Sequence, residues 1–313
     1  MKSKPRKATK EAGSRLSASN AAALVRARHR IVGRDEEISQ LWAALSAGRN
    51  ALIEGPVGVG KTVLAQAVAE VLGRKVIRVD GDSRFTEQKL TGWFDPSLVL
   101  RKGYSQKTFI AGPLVKAMLD GSILFINELN RMPEAVQNVL LPAIDEGLVQ
   151  VPQLGDIRAA KGFLVIATQN PREFVATSHL SEALLDRMEW VQLQYQDFDQ
   201  EREIAKQASG FGKEPYLSWA VALVRLTRTH PKIKRGASIR AAIAILQILE
   251  GRAADELDEN AFWSAAKLAL PTRIELNTAE FDGGFDQQVQ TILRELWDEL
   301  KKNSPMSSAT LSH

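Results

Sequence analysis

No cysteine occurs in the 313 residues. Disulfides, thiolate metal sites and cysteine nucleophiles are therefore excluded, and the chain suits a reducing compartment such as the cytoplasm. Histidine is scarce: His29, His179, His230 and His313 are scattered, with no metal-ligand spacing. No apolar run reaches the roughly 18 residues that a membrane span needs, so no membrane partner is expected. Neither G-x-S-x-G nor H-E-x-x-H is present, which removes the motif support for a serine hydrolase or a zinc protease. There is no internal repeat and no low-complexity block.

What is present describes a soluble globular protein. Hydrophobic residues make up 44% and charged residues 25%, enough for one large or two moderate domains with a core of ordinary size. The net charge of +4 is unevenly placed. Residues 1–30 hold nine Lys/Arg and one Glu, a net +8, which leaves 32 basic and 36 acidic residues, a net −4, for the rest. Residues 1–27 read as a disordered basic tail that can touch nucleic acid or an acidic partner. The mildly acidic body is not expected to bind nucleic acid. No apolar core follows the tail's charges, against a secretory signal; its Arg, Ser and Ala content leaves an organellar transit peptide as an alternative.

From about residue 35 to 195, short apolar runs alternate with helical patterns. Strands are expected at 51–54, 75–80, 123–126, 163–168 and 191–194, and helices at 63–73, 113–121, 133–147 and 181–188. Pro142 falls inside one of these helices and should kink it. Five buried strands separated by helices indicate an α/β domain with a parallel sheet covered on both faces. Two stretches interrupt the alternation. Residues 82–111 read as a short helix followed by a hairpin of "LVL" (98–100) and "TFI" (108–110). Residues 148–162 read as a second hairpin. After about residue 197 only helical patterns remain, including one over 285–302 with Phe285, Val289, Ile292, Leu293, Leu296, Trp297 and Leu300 on one face, most simply packed on its own chain. The expected organisation is a tail (1–27), a nucleotide-binding α/β domain (28–196), a helical domain (197–277) and a C-terminal helix and tail (278–313).

"GPVGVGKT", Gly55–Thr62, matches G-x-x-x-x-G-K-[ST] in full, after one strand and at the start of one helix. The expected phosphate cradle is Gly55, Pro56, Val57, Gly58, Val59 and Gly60, continued by Lys61, Thr62 and Val63 of the first helical turn. Their backbone amides can wrap a phosphate, apart from Pro56, which has no amide hydrogen. The helix amino terminus adds partial positive charge. Lys61 neutralises the outer phosphates and the hydroxyl of Thr62 can bind magnesium. A plain glycine-rich turn is the remaining alternative. A second strand beside this loop should carry an acid near the magnesium and a group that orients water. "ILFINE" (123–128) supplies it, with Glu128 as the water-activating candidate and an amide, Asn127, at the metal-associated position.

Further segments extend the pattern in order: "IVGRDEE" (31–37), "LTGWFDP" (90–96), "AGPLVKAML" (111–119), "INELNR" (126–131), "ATQNP" (167–171), "LSEALLDRM" (180–188) and "GASIRA" (236–241). The ordered set, covering residues 31–245, resembles AAA+ ATPases of the MoxR type. The resemblance implies a P-loop AAA+ core with inserted β-hairpins plus a small all-helical lid, and ATP with Mg²⁺ as cofactors. It implies that Ile31, Val32 and Gly33 line the adenine pocket, that Asn170 is the polar sensor of the attacking water, that Arg187 is an arginine finger reaching a neighbouring subunit, and that Arg240 is a second sensor on the lid. Plain alternatives are a turn asparagine, an exposed helix-end arginine beside Asp186, and a surface arginine. It also implies a homo-hexameric ring, a protein client, remodelling or assembly activity, and a partner with a von Willebrand factor A domain. The departure is Asn127, where the family has Asp. Losing that charge should weaken metal-nucleotide binding by about tenfold to a hundredfold and slow hydrolysis, and Asn127→Asp is expected to speed turnover or tighten magnesium.

Overall fold

The computed structural model describes residues 17–170, 180–277 and 284–303. Residues 1–16 of the basic tail and the expected loose end after residue 303 lie outside the described residues, as does the side chain of Phe285. The chain divides into two compact units, Met1–Gln194 and Tyr195–His313.

The first unit opens with α1 (Ala18–His29) and α2 (Asp35–Ser46), followed by β1 (Asn50–Glu54), α3 (Lys61–Val71) and β2 (Val76–Asp80). An insert follows: α4 (Glu87–Thr91), β3 (Gly92–Phe94), α5 (Pro96–Lys102) and β4 (Phe109–Ala111). Then come α6 (Pro113–Asp120), β5 (Ile123–Asn127), a 3₁₀ turn (Leu129–Arg131), α7 (Glu134–Asn138), α8 (Leu140–Asp145), the antiparallel pair β6 (Leu148–Val151) and β7 (Gly155–Arg158), β8 (Leu164–Gln169), α9 (Glu182–Leu185) and β9 (Met188–Gln192). The main sheet has the order β2-β5-β8-β1-β9, and every pairing in it is parallel. Ile123, Leu124, Phe125 and Ile126 of β5 are all fully buried. A strand dry at successive positions has both faces covered, and α2, α3 and α6 pack against the sheet's strands.

The basic tail is shorter than expected. Residues 18–27 belong to α1, capped by the Ser17 hydroxyl, which accepts from the Asn20 amide at 3.3 Å. Ala21, Ala22 and Val25 are buried on the side facing α2. Arg26 in this stretch and Arg28 just beyond it are ion-paired with the body: Arg26 grips Asp35 with one guanidinium nitrogen at 2.8 and 2.7 Å, and Arg28 meets Glu70 at 2.7 Å.

The insert is also built differently. "LVL" is part of α5, not a strand. Asp95 caps that helix by accepting from the amides of Ser97 and Leu98 at 2.8 and 3.2 Å, Pro96 takes the first position, and Gly103 ends it. The strand that pairs antiparallel with β4 is Gly92–Phe94. Pro142 does not merely kink the helix over 133–147 but divides it. It has no N–H for the carbonyl of Asn138, and its ring crowds that carbonyl, so α7 ends there and α8 begins at Leu140. The last strand of the sheet spans 188–192 rather than 191–194.

The second unit contains α10 (Phe198–Ser209), α11 (Tyr216–Thr229), β10 (Ile233–Arg235), α12 (Ile239–Glu250), α13 (Glu259–Ala269), β11 (Glu275–Leu276) and α14 (Phe285–Asn303). The two short strands pair antiparallel, a feature absent from the helical periodicity. Val289, Ile292, Leu293, Leu296, Trp297 and Leu300 of α14 enter the same core as α11–α13. Trp297 stacks on Phe262 and Trp263, with ring centroids 5.3 and 5.5 Å apart. Trp297→Ala should therefore lower stability by about 3–5 kcal/mol, read as a shifted midpoint in denaturant unfolding of the second unit followed by far-UV circular dichroism.

Candidate functional site

Parallel strands bring their carboxyl ends to one edge of the sheet, where α/β folds place ligands. At that edge the strand order sets four chain segments side by side: Asp80 ending β2, Asn127 ending β5 with Glu128 after it, Asn170 after β8, and the loop Gly55–Gly60 after β1. The loop turns on Gly58 and Gly60, whose φ values of 81° and 96° favour glycine. The two valines of the loop differ in setting: Val59 is buried, whereas Pro56 and Val57 are partly exposed. The side chain of Val57 therefore contributes little to the core. Val63, in the first turn of α3, is exposed. Lys61 folds its ammonium onto the loop, donating to the carbonyls of Gly55 and Pro56 at 2.6 and 2.8 Å.

Asn127 is the hub of the edge. Its Oδ1 accepts from the hydroxyls of Thr62 at 3.2 Å and Thr168 at 3.1 Å, and its Nδ2 donates to Asp80 Oδ1 at 3.0 Å. A carboxylate only accepts, so the amide nitrogen must face Asp80 and the carbonyl oxygen must face Thr62. Arg78 donates to the same carboxylate at 2.7 Å. That guanidinium foremost, and the Asn127 amide, hold the Asp80 carboxyl below the usual carboxylate range. The next residue, Gly81, passes so close that a Cβ there would lie 2.2 Å from the Glu128 carbonyl oxygen.

Glu128 has φ 57°, a left-handed conformation uncommon outside glycine. Its amide is held by the Thr168 hydroxyl at 2.9 Å, and its carboxylate meets Arg131 Nε at 3.0 Å. Asn170 is buried directly after β8. Ile31, Val32 and Gly33 form the turn between α1 and α2, and the following residue, Arg34, donates to the carbonyls of Val59 in the phosphate loop at 3.2 Å and Gln194 at 2.6 Å. The turn is thereby tied to the loop.

Arg187 lies elsewhere in the first unit. Arg187 immediately precedes β9, whose first residue is level with Asn50 at the start of β1. Five strand residues separate that level from Gly55, roughly 16 Å at about 3.3 Å per residue. Arg187 bonds Asp145 Oδ1 at 2.5 Å and the Ala183 carbonyl at 2.6 Å. Arg240 is exposed in the first turn of α12, in the second unit. Sequence reading assigned no role to Asp80, Thr168 or Arg34. "VDGD" (79–82), an acid and an obligatory small residue at a strand end, was the available signal for the first.

The donors Thr62 Oγ1 and Asn127 Oδ1 are oxygens, which suits Mg²⁺, a hard cation that keeps several waters. Among the described residues no group of three or more His, Cys, Asp or Glu is placed to hold a metal. A metal here would thus be held by Thr62 and Asn127 together with the phosphates of a nucleotide. When bound, it neutralises phosphate charge.

Comparison with known proteins agrees with this geometry. Residues 50–188 match the model of the AAA domain, dynein-related subfamily. An uncharacterised Staphylococcus epidermidis protein is 31% identical over 207 residues, 64% of this chain and 78% of that protein. The chain belongs to the AAA+ ATPases. The gas vesicle ATPase GvpN1 of Halobacterium salinarum is 31% identical over 191 residues, 56% of this chain and 54% of its own. The solved structure of the Thermotoga maritima RuvB Holliday junction branch migration motor shares the fold, with a TM-score of 0.51 at 19% identity, covering 76% of this chain and 70% of that one. This AAA+ chain has no helix, among the described residues, long and apolar enough to cross a membrane.

Thr168 is fully buried, and its hydroxyl serves both Asn127 and Glu128. Thr168→Val keeps the shape but leaves the Glu128 N–H without this acceptor, so it should cost about 1–3 kcal/mol. Thermal unfolding measures that loss, and nucleotide turnover should fall alongside it.

Proposed function

We propose that this AAA+ chain is a MoxR-type ATPase that hydrolyses ATP with Mg²⁺ as a ring, a hexamer, and uses the cycle to remodel or assemble a partner protein. The observation that carries the ring is the place of Arg187. It stands at the opposite end of the sheet from its own phosphate loop, roughly 16 Å away along the strands, which supports its acting on another copy's nucleotide rather than its own. In this reading Lys61 and Thr62 hold the phosphates and metal, Glu128 activates water, and Asn170 orients it. Arg187 leaves Asp145 to complete the next subunit's site, and Arg240 senses nucleotide from the lid.

The insert over 92–111 supports a protein client. Trp93, Leu100, Tyr104 and Ile110 are all exposed on it, Leu100 at 89%. Phe94 packs against Tyr104 and Phe109, with centroids 4.9 and 5.2 Å apart, which stiffens the base of the projection. Apolar side chains held out on a braced hairpin suit gripping another protein. A partner with a von Willebrand factor A domain fits the MoxR resemblance, and the gas vesicle ATPase among the relatives offers an analogy for turnover serving an assembled structure. A second reading, a nucleotide-held scaffold with little catalysis, is favoured by Asn127 and is separated from the first by steady-state turnover with and without partner. A DNA motor is disfavoured by the net −4 of residues 31–313, since duplex binding needs clustered Lys/Arg.

Arg187→Ala should leave nucleotide affinity unchanged and reduce turnover by about 10³-fold or more. Mixing it with Lys61→Ala chains should restore part of the activity, because intact loops then face intact arginines. Steady-state phosphate release checks both. Full activity in a dilute monomer would overturn the ring.

A further inference from the structure

The AAA+ site lacks its metal-associated carboxylate at position 127, and a carboxylate stands one strand away. β2 and β5 pair in parallel with Asp80 level with Asn127. The two side chains are joined by the Nδ2-to-Oδ1 bond of 3.0 Å, while the Asn127 carbonyl oxygen faces Thr62 at 3.2 Å. We propose that Asp80 and Asn127 act as one split acidic group. Asn127 presents the oxygen toward the metal-bearing end of the phosphates, and Asp80, a positioning residue, supplies the negative charge behind it. The inference rests on the nucleotide-site reading above.

Three features support the division of labour. A hydrogen bond to a charged acceptor polarises the amide, so its carbonyl becomes a stronger acceptor or ligand. The amide cannot turn round, since its nitrogen would then face two hydroxyls and its oxygen a carboxylate. Arg78, on the same strand face two residues away, pins the Asp80 carboxylate at 2.7 Å. Both side chains of that pair are about half exposed, so solvent screens the arginine's charge and the pair does not cancel the carboxylate.

The arrangement reverses the sign expected for Asn127→Asp. An acid placed there would sit about 3 Å from the Asp80 carboxylate, and two carboxylates that close cannot both ionise without cost. Asp80→Asn alone removes the acid from the edge. Both changes together return the acid to position 127, with an amide at position 80 to donate to it.

The test is the affinity of a fluorescent ADP, with excess Mg²⁺ and with EDTA, for the full chain and for Asp80→Asn, Asn127→Asp and the double variant Asp80→Asn/Asn127→Asp. The expected result is that each single change weakens Mg²⁺-dependent binding by about tenfold, that the double variant recovers it to within about threefold, and that all four bind alike in EDTA. A purely structural role for the pair would move both conditions together. Asp80→Asn binding Mg²⁺-nucleotide as the parent does, or Asn127→Asp binding it more tightly, would overturn the split acid and leave the nucleotide site standing. Weak single variants with no recovery in the double would overturn it as well. Failure of the parent chain to bind nucleotide in either condition would instead bring down the site itself.

Discussion

The carboxamide of Asn127 ties three strands of the sheet to the helix of the phosphate loop. Through one oxygen it takes the hydroxyls of Thr62, on the helix that follows the phosphate loop, and Thr168, on the central strand; through one nitrogen it reaches Asp80 at the end of the neighbouring strand. Three strands at their carboxyl ends and the loop helix at its amino end are thus registered by a single planar group. Its orientation is set by chemistry, because one neighbour can only accept. The buried residues of β5 place this group, since each of the four preceding side chains is locked in core.

Around that hub the backbone is under local constraint. Glu128 is held in a left-handed conformation directly after the strand, a cost of order 1–3 kcal/mol that the surroundings must maintain. The Thr168 hydroxyl on its amide and the 3₁₀ turn that follows do so. The result turns the carboxylate toward Arg131, an ion pair with both side chains partly exposed. Such a pair is worth about 0–1 kcal/mol, so it holds the acid in place without committing it there.

Much of this was legible in the residues. The phosphate loop announces itself because its backbone needs glycine at Gly58 and Gly60, a demand few other residues meet. The five strands and the periodicity of α14 were likewise readable, as apolar runs and as a 3.6-residue stripe, but only β1, β5 and β8 are buried along most of their length, while β2 and β9 at the sheet's edges are largely not. The misreadings have physical causes. "LVL" suits strand and helix alike, and the deciding signals were the capping Asp95-Pro96 before it and Gly103 after it. The stretch 18–27 read as tail because Arg26, like Arg28 just beyond it, was counted without the acid that meets it, Asp35 for the first and Glu70 for the second. Asp80 was invisible as a partner of Asn127 because they are 47 residues apart. Only the strand order, with β2 on the edge beside β5, makes them neighbours.

The same sheet that gathers the phosphate-loop edge keeps Arg187 away from it. Residues after β1, β2, β5 and β8 converge because parallel strands share a carboxyl end, whereas Arg187 precedes its strand and is therefore carried to the amino end. No rotamer change spans that length: an extended arginine side chain reaches about 7 Å, and the strands alone account for roughly 16 Å. Its guanidinium is meanwhile satisfied by Asp145, on the short helix that Pro142 separates from α7. Pro142 lies in the first turn of the helix that ends at Asp145. A proline with no evident chemistry in the sequence thus belongs to the helix that holds the arginine's partner.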